Sequence, residues 1–218
     1  EKKRTYLEAG KTYFEKGEYK EAEIEYRNAI QIDPNFIAAH EQLGETYLKL
    51  GQAKEAFREY AQLEVLDPNH LEAKRKLATF YFLGKRYEDA QKRVEAVLEK
   101  APEDIDMLYL QAGILEQQDQ LDAAAEIFQK IIDIDGKQSR ALMALARTQA
   151  RQDDFTSAES SMRAAIAVDP EALKPQLALF SLYISRQDYE QAEAELKKVI
   201  ENNPDNIDLR ILLGNYYL

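Results

Sequence analysis

Three short stretches of the chain carry residue types whose spacing could do chemistry. Gly10-Lys11-Thr12 ends like a phosphate-binding loop, in which backbone N–H groups cradle phosphates and a lysine reaches them. His40-Glu41 opens like a zinc helix, which needs a second histidine one turn on, and Asp133-Ile134-Asp135-Gly136 reads like part of a calcium loop. Each lacks its remaining members. Thr5 stands where the phosphate loop needs its first glycine, Gly44 where the zinc helix needs its second histidine, and Ile131 and Leu142 hold the first and twelfth calcium positions. His70 lies between helical stretches with no serine or carboxylate constellation recurring around it. There is no cysteine, so thiolate nucleophiles, thiolate metal sites and disulfides are excluded together. The expectation is a chain that is not an enzyme, with no catalytic residues, no metal and no cofactor.

One charged pattern survives this screen. Arg140, Arg147 and Arg151 are spaced i, i+7 and i+11, which places them on one stripe of a helix, and Lys174 follows Arg140 at an interval that recurs throughout the chain. Guanidinium groups take carboxylates in a forked geometry, so the stripe suits an acidic peptide or a C-terminal carboxylate. The alternative is that these arginines neutralise neighbouring acidic helices, which exposed charges commonly do. The chain as a whole is acidic, with a net charge of −11 and a pI near 4.9. That balance repels phosphate backbones and anionic lipid, which argues against nucleic acid and against a polybasic membrane contact. No window approaches the roughly 18 apolar residues of a membrane-spanning helix.

The elements that must position such residues follow from a repeat. Pro34, Pro68, Pro102, Pro170 and Pro204 recur with a step of 34, with Gly136 where a sixth proline would fall. Ala22, Ala56, Ala90, Ala124, Ala158 and Ala192 keep the same step without insertion, and so do Tyr13, Tyr47, Tyr81, Leu115, Gln149, Tyr183 and Tyr217. Within each repeat two stretches carry apolar residues at helical spacing, about 3 to 16 and 19 to 32 in the first. Lys16-Gly17-Glu18, Leu50-Gly51-Gln52 and Leu83-Gly84-Lys85 mark the turns inside repeats, where glycine takes positive φ without a Cβ penalty. Asp33-Pro34 and its equivalents end the second helix, because proline drives the preceding residue out of the α region. The alanine series, and Gly10, Gly44, Ala78, Ala112, Ala146 and Gly214 on the first helices, are expected where two helix backbones approach closely.

The step of 34 and the residues Tyr6, Ala9, Gly10, Tyr13, Ala22, Tyr26, Ala29 and Pro34 together resemble the tetratricopeptide repeat. The resemblance covers six repeats, at 3–36, 37–70, 71–104, 105–138, 139–172 and 173–206, and a seventh first helix at 207–218. The family's tryptophan is absent, replaced by Tyr6, His40, Lys74, Leu108, Leu142 and Gln176, and Phe180 occupies a small-residue site. The implied fold is all-α: an α-α superhelix, or solenoid, of six helix pairs and one extra first helix, with a concave groove lined mainly by first helices. The groove residues then expected to bind are Arg75, Phe82, Tyr109, Arg140, Met143, Arg147, Arg151 and Lys174. Phe14, Leu48 and Phe82 share one repeat position, and packing between first helices competes there with ligand contact.

The resemblance implies a scaffold binding a peptide or protein, acidic where it meets the arginines. The lysine and asparagine pair that relatives use to clamp chaperone tails is missing: the fifth repeat position reads Leu7, Glu41, Arg75, Tyr109, Met143 and Leu177, and the ninth Lys11, Glu45, Thr79, Gly113, Arg147 and Ser181. The general character of the repeats is similar to bacterial cell-envelope members of the family, lipoproteins among them. The alternative is a regulatory, substrate-recruiting region of a larger enzyme such as a glycosyltransferase or peptidase. The start at Glu1 and the stop inside a helix are expected of an excised segment. The compartment stays open between the cytoplasm and, with an upstream signal, the bacterial periplasm.

Overall fold

The computed structural model describes residues 1–217; Leu218, the last residue of the expected seventh first helix, lies outside the described residues. Thirteen helices follow one another and no strand occurs among the described residues. First helices are α1 (Lys2–Glu15), α3 (Ile37–Lys49), α5 (Leu71–Leu83), α7 (Ile105–Gln117), α9 (Ser139–Arg151), α11 (Leu173–Ser185) and α13 (Ile207–Tyr216). Second helices are α2 (Tyr19–Ile32), α4 (Ala53–Leu66), α6 (Tyr87–Leu98), α8 (Leu121–Ile134), α10 (Phe155–Val168) and α12 (Tyr189–Asn202). The chain forms two compact halves, Glu1–Leu110 and the part from Gln111 onward. In the first half α1 packs on α2, α2 on α3, and so on to α6, and α1 also touches α3. In the second half the same succession runs from α8 to α13, and α9 touches α11.

Complementary pairs at two repeat positions explain the packing inside each helix pair. All six alanines of the second-helix series have no exposed surface. On the first helix, a Cβ added at Gly10 would come within 2.5 Å of the Tyr26 ring, and one at Gly44 within 3.0 Å of Tyr60. Glycine is therefore required where the facing residue is tyrosine. Where alanine stands instead, at Ala78, Ala112 and Ala146, the residues at the Tyr26 position are Val94, Phe128 and Met162. Phe180 faces the opposite compromise: Leu196 holds the Tyr26 position in that repeat, and the Phe180 ring packs edge-on to Tyr216. The expectation is not met at Gly214, where an added Cβ would meet nothing among the described residues.

The turns inside repeats also obey the period, with one correction. Positive φ falls at Gly17 and Gly51 as expected, but in the third repeat it falls at Lys85 (φ 58°), while Gly84 merely closes α5 with φ −78°. Asp119, Asp153 and Gln187 take the same conformation at φ 58°, 60° and 62°. What repeats is a backbone requirement, and glycine meets it only twice.

Between repeats, Asp33, Asp67, Asp135 and Asp169 end the second helices in extended backbone, and each accepts a hydrogen bond from the N–H two residues on, at 3.1, 2.9, 3.0 and 3.3 Å. This local ring of aspartate and turn backbone is supplied by the Asp-Pro pairs at Asp33, Asp67 and Asp169 and by Asp135-Gly136 in the fourth repeat. Ala101 stands at that place in the third repeat. There α6 stops earlier, and Asp104 accepts from the Met107 N–H at 3.1 Å, so the following helix is capped from its own side.

Candidate functional site

In the second half, the face of the first helices carries the arginine stripe. The Arg147 Nη2 donates to both oxygens of Glu116, at 3.1 and 2.9 Å, and the Thr148 hydroxyl donates to the same carboxylate at 3.1 Å. Arg151 donates to Asp119 at 3.0 Å and stands 3.9 Å from Glu116. The Glu116 side chain is only 10% exposed whereas Arg147 is 63% exposed, so the carboxylate is a buried anchor and the guanidinium faces outward from it. Arg140 and Lys174 are exposed at the starts of α9 and α11. Met143 lies between Arg140 and Arg147 in sequence, half-buried against the core of this half. Charge-pairing with acidic neighbours, the alternative weighed from the sequence, is thus present for Arg147 and Arg151. It also fixes their positions, and a fixed guanidinium loses less freedom when it takes a further carboxylate.

The expected residues of the first half are placed differently. Arg75 donates from Nε to Asp104 at 2.6 Å and from Nη1 to Glu72 at 3.5 Å, and the hydrogen bond to Asp104 is the main cause raising its pKa. Since Asp104 also caps the following helix, Arg75 ties α5 to the next joint. Phe82 packs on Tyr87 with ring centroids 5.8 Å apart, as Phe14 packs on Tyr19 at 5.2 Å. These aromatics therefore bridge to the start of their own second helix. Tyr109, on α7, is half-buried.

Polar networks on the side of the second helices were not anticipated from sequence. Arg93 on α6 grips Glu64 on α4 through Nε and Nη2, at 3.2 and 2.8 Å, and its guanidinium lies 4.7 Å from the centre of the Tyr81 ring. Lys74 reaches the same carboxylate at 3.3 Å. Burial pushes the Glu64 carboxyl up, but the hydrogen bonds from Arg93 and Lys74 outweigh it and leave the pKa lowered. On α10, Arg163 donates to Glu159 at 3.0 Å, to the Tyr183 hydroxyl at 2.9 Å and to Glu195 at 3.3 Å. At the tryptophan position, His40 Nε2 meets the Pro34 carbonyl at 2.9 Å, and Gln176 and Arg210 donate to the equivalent carbonyls of Pro170 and Pro204 at 2.5 and 2.6 Å. A polar residue six places after the proline, recurring at the repeat interval, was the available signal for this last contact.

No group of three or more metal-ligating side chains occurs among the described residues. No helix there is long and apolar enough to cross a membrane. Models of the tetratricopeptide repeat match residues 10–51, 41–90, 80–139 and 149–216. Comparison with curated protein sequences gives no match. Among solved structures, PilW, described as a widely conserved type IV pilus biogenesis factor, superposes with a TM-score of 0.75 at 16% identity, covering 97% of this chain and 98% of its own. PilF of Pseudomonas aeruginosa gives 0.70 at 19% identity over 98% and 97%. MamA of Desulfovibrio magneticus RS-1 gives 0.72 at 23% identity over 78% and 96%. At such identities the likeness concerns the fold alone. With its unbroken step of 34, its paired helices and these matches along its length, the chain belongs to the tetratricopeptide repeat family.

Proposed function

We propose that the chain is a non-catalytic scaffold that binds a peptide or protein along the face of its first helices, and that the partner presents carboxylates to Arg140, Arg147, Arg151 and Lys174. The observation carrying this reading is the Glu116 anchor: a nearly buried carboxylate holds a largely exposed guanidinium in a fixed place. Arginine presented in that way recognises a second carboxylate by charge-assisted hydrogen bonds. Met143 and Leu177, half-buried beside the basic residues, add apolar contact. Service in a bacterial envelope or export assembly is part of the proposal, and its support is the likeness in fold to the pilus biogenesis factor PilW.

The test is a selection of peptides from a random displayed library, followed by affinity measurement against a charge-reversed variant. Selected sequences should be enriched in Asp and Glu, and Arg140→Glu, Arg147→Glu and Arg151→Glu together should weaken them at least about tenfold while helical content is kept. Neutral or basic selected peptides, or affinity unaffected by the triple change, would reject the acidic-partner reading.

A further inference from the structure

The arginine stripe runs along a helix, and its direction selects what can lie on it. Arg140, Arg147 and Arg151 all belong to α9, seven and then four residues apart. They advance by about 10.5 and 6 Å along the helix axis while staying on one narrow face. Two of the three are held in place, Arg147 by Glu116 at 2.9 Å and Arg151 by Asp119 at 3.0 Å. Helices α9 and α11 together carry Arg140, Arg147, Arg151 and Lys174 and no acidic residue, in a chain whose net charge is −11.

Beside the stripe the surface is apolar and low. Glu116 holds the twelfth position of its repeat and reaches Arg147 and Thr148 on the next first helix, so this position leans toward the following repeat. On α9 the twelfth position is Ala150, seven residues after Met143, and α9 touches α11. On α11, Ser181 and Leu182 hold the positions of Arg147 and Thr148 and so turn back toward α9, with Ala178 one turn before Leu182. Met143, Ala150 and Ala178 thus border the furrow between the two helices, half-buried on the core of this half. Alanine at two of these three places lets another helix axis approach to the usual distance of about 8–10 Å.

Resting on the acidic-partner reading of this face, we infer that the segment bound there is an amphipathic α-helix lying along α9 and antiparallel to it. Its carboxylates meet Arg151, Arg147 and Arg140 at intervals of four and then seven residues, and its small apolar residues cover Met143, Ala150 and Ala178. Intervals of four and seven each return a helical side chain to the same face, at the spacing of the arginines. A β-strand, advancing about 3.3 Å per residue, needs about three residues between Arg140 and Arg147, and an odd interval turns the second side chain to the opposite face. A polyproline segment needs about two residues between Arg147 and Arg151, which rotates the second side chain away by about 240°. The antiparallel sense follows from the dipoles. It sets the partner helix's C-terminal carbonyls, which carry partial negative charge, over Arg140, Lys174 and the positive end of α9, whereas the parallel sense would oppose two positive ends.

The test titrates the 218-residue chain with labelled synthetic peptides, read by fluorescence anisotropy. Three alanine-rich peptides of about 18 residues suffice. The first carries glutamates at intervals of four then seven, the second the same glutamates with a proline midway between the second and third, and the third the intervals in reverse order. The first should bind at least about tenfold more tightly than the other two, and in a ¹³C-labelled sample its Cα shifts should move to helical values on binding. Arg140→Glu should weaken it, and arginine in place of the peptide's last glutamate, but not of its first, should restore binding. Equal affinity of the proline peptide, with both lost when Arg140, Arg147 and Arg151 are reversed to glutamate, would overturn the helix and leave the acidic-partner reading standing. Equal affinity of the reversed peptide, or rescue through the first glutamate, would overturn the antiparallel placement. No binding, or binding indifferent to the arginines, would overturn both the helix and the acidic-partner reading.

Discussion

Tyr26 and Tyr60 hold the same place in consecutive repeats, both wholly buried, yet their hydroxyls fare differently. Tyr60 donates to Glu45 at 3.3 Å, whereas the Tyr26 hydroxyl has no hydrogen-bond partner among the described residues. The residue aligned with Glu45 is Lys11, which offers no acceptor and pairs with Glu8 instead. Burial, with Glu15 and Glu8 nearby, pushes the Tyr26 phenol up to about 12. Removing an unsatisfied buried hydroxyl costs nothing, while removing a bonded one forfeits the bond. Tyr26→Phe should therefore leave Tm unchanged or raise it, and Tyr60→Phe should destabilise by about 1 kcal/mol in denaturant unfolding; equal losses would show that the two environments are alike. The packing alanines and Gly10 were legible in the sequence because a small side chain recurs at the alanine position in all six repeats and at the Gly10 position in all but the sixth, where Phe180 stands. Contacts such as His40–Glu59 and Arg93–Glu64 were not, since residues at those positions change charge from repeat to repeat and no period marks them.

At the scale of elements, the turn inside each repeat shows why residue identity and conformation must be read separately. Gly84 resembles Gly17 and Gly51 by eye but stands one residue early, and the left-handed conformation falls to Lys85. A side chain there costs about 1 kcal/mol relative to glycine. Lys85→Gly and Gln187→Gly should each raise Tm, read by circular dichroism, because both residues hold positive φ without the local hydrogen bonding that asparagine or aspartate supplies. Gly10→Ala should do the reverse: the new methyl meets the Tyr26 ring at 2.5 Å, and a fully buried ring can yield only by moving α1 off α2. A loss of about 1 to 3 kcal/mol is expected, and a stabilised Gly10→Ala would contradict the packing assigned to this pair.

For the whole molecule, repetition supplies one kind of surface many times and leaves local substitutions to make parts of it specific. Helix pairing, the repeat boundaries and family membership follow from residues that recur at 34; what distinguishes this chain lies in positions that do not. Glu116 is the clearest case. It stands where Phe14, Leu48 and Phe82 stand in the first three repeats, and it replaces an apolar side chain with an anchor for Arg147. We propose the first-helix face as the binding face. Its most direct test is photocrosslinking in the cells that make the protein, with benzoylphenylalanine placed at Met143 or Ser181 on the first helices, or at Ala164 on the exposed side of α10. Discrete adducts from Met143 and Ser181, lost when Arg140, Arg147 and Arg151 are reversed to glutamate and absent from Ala164, are the expected result; adducts from Ala164 alone would place the partner on the second helices and contradict the account.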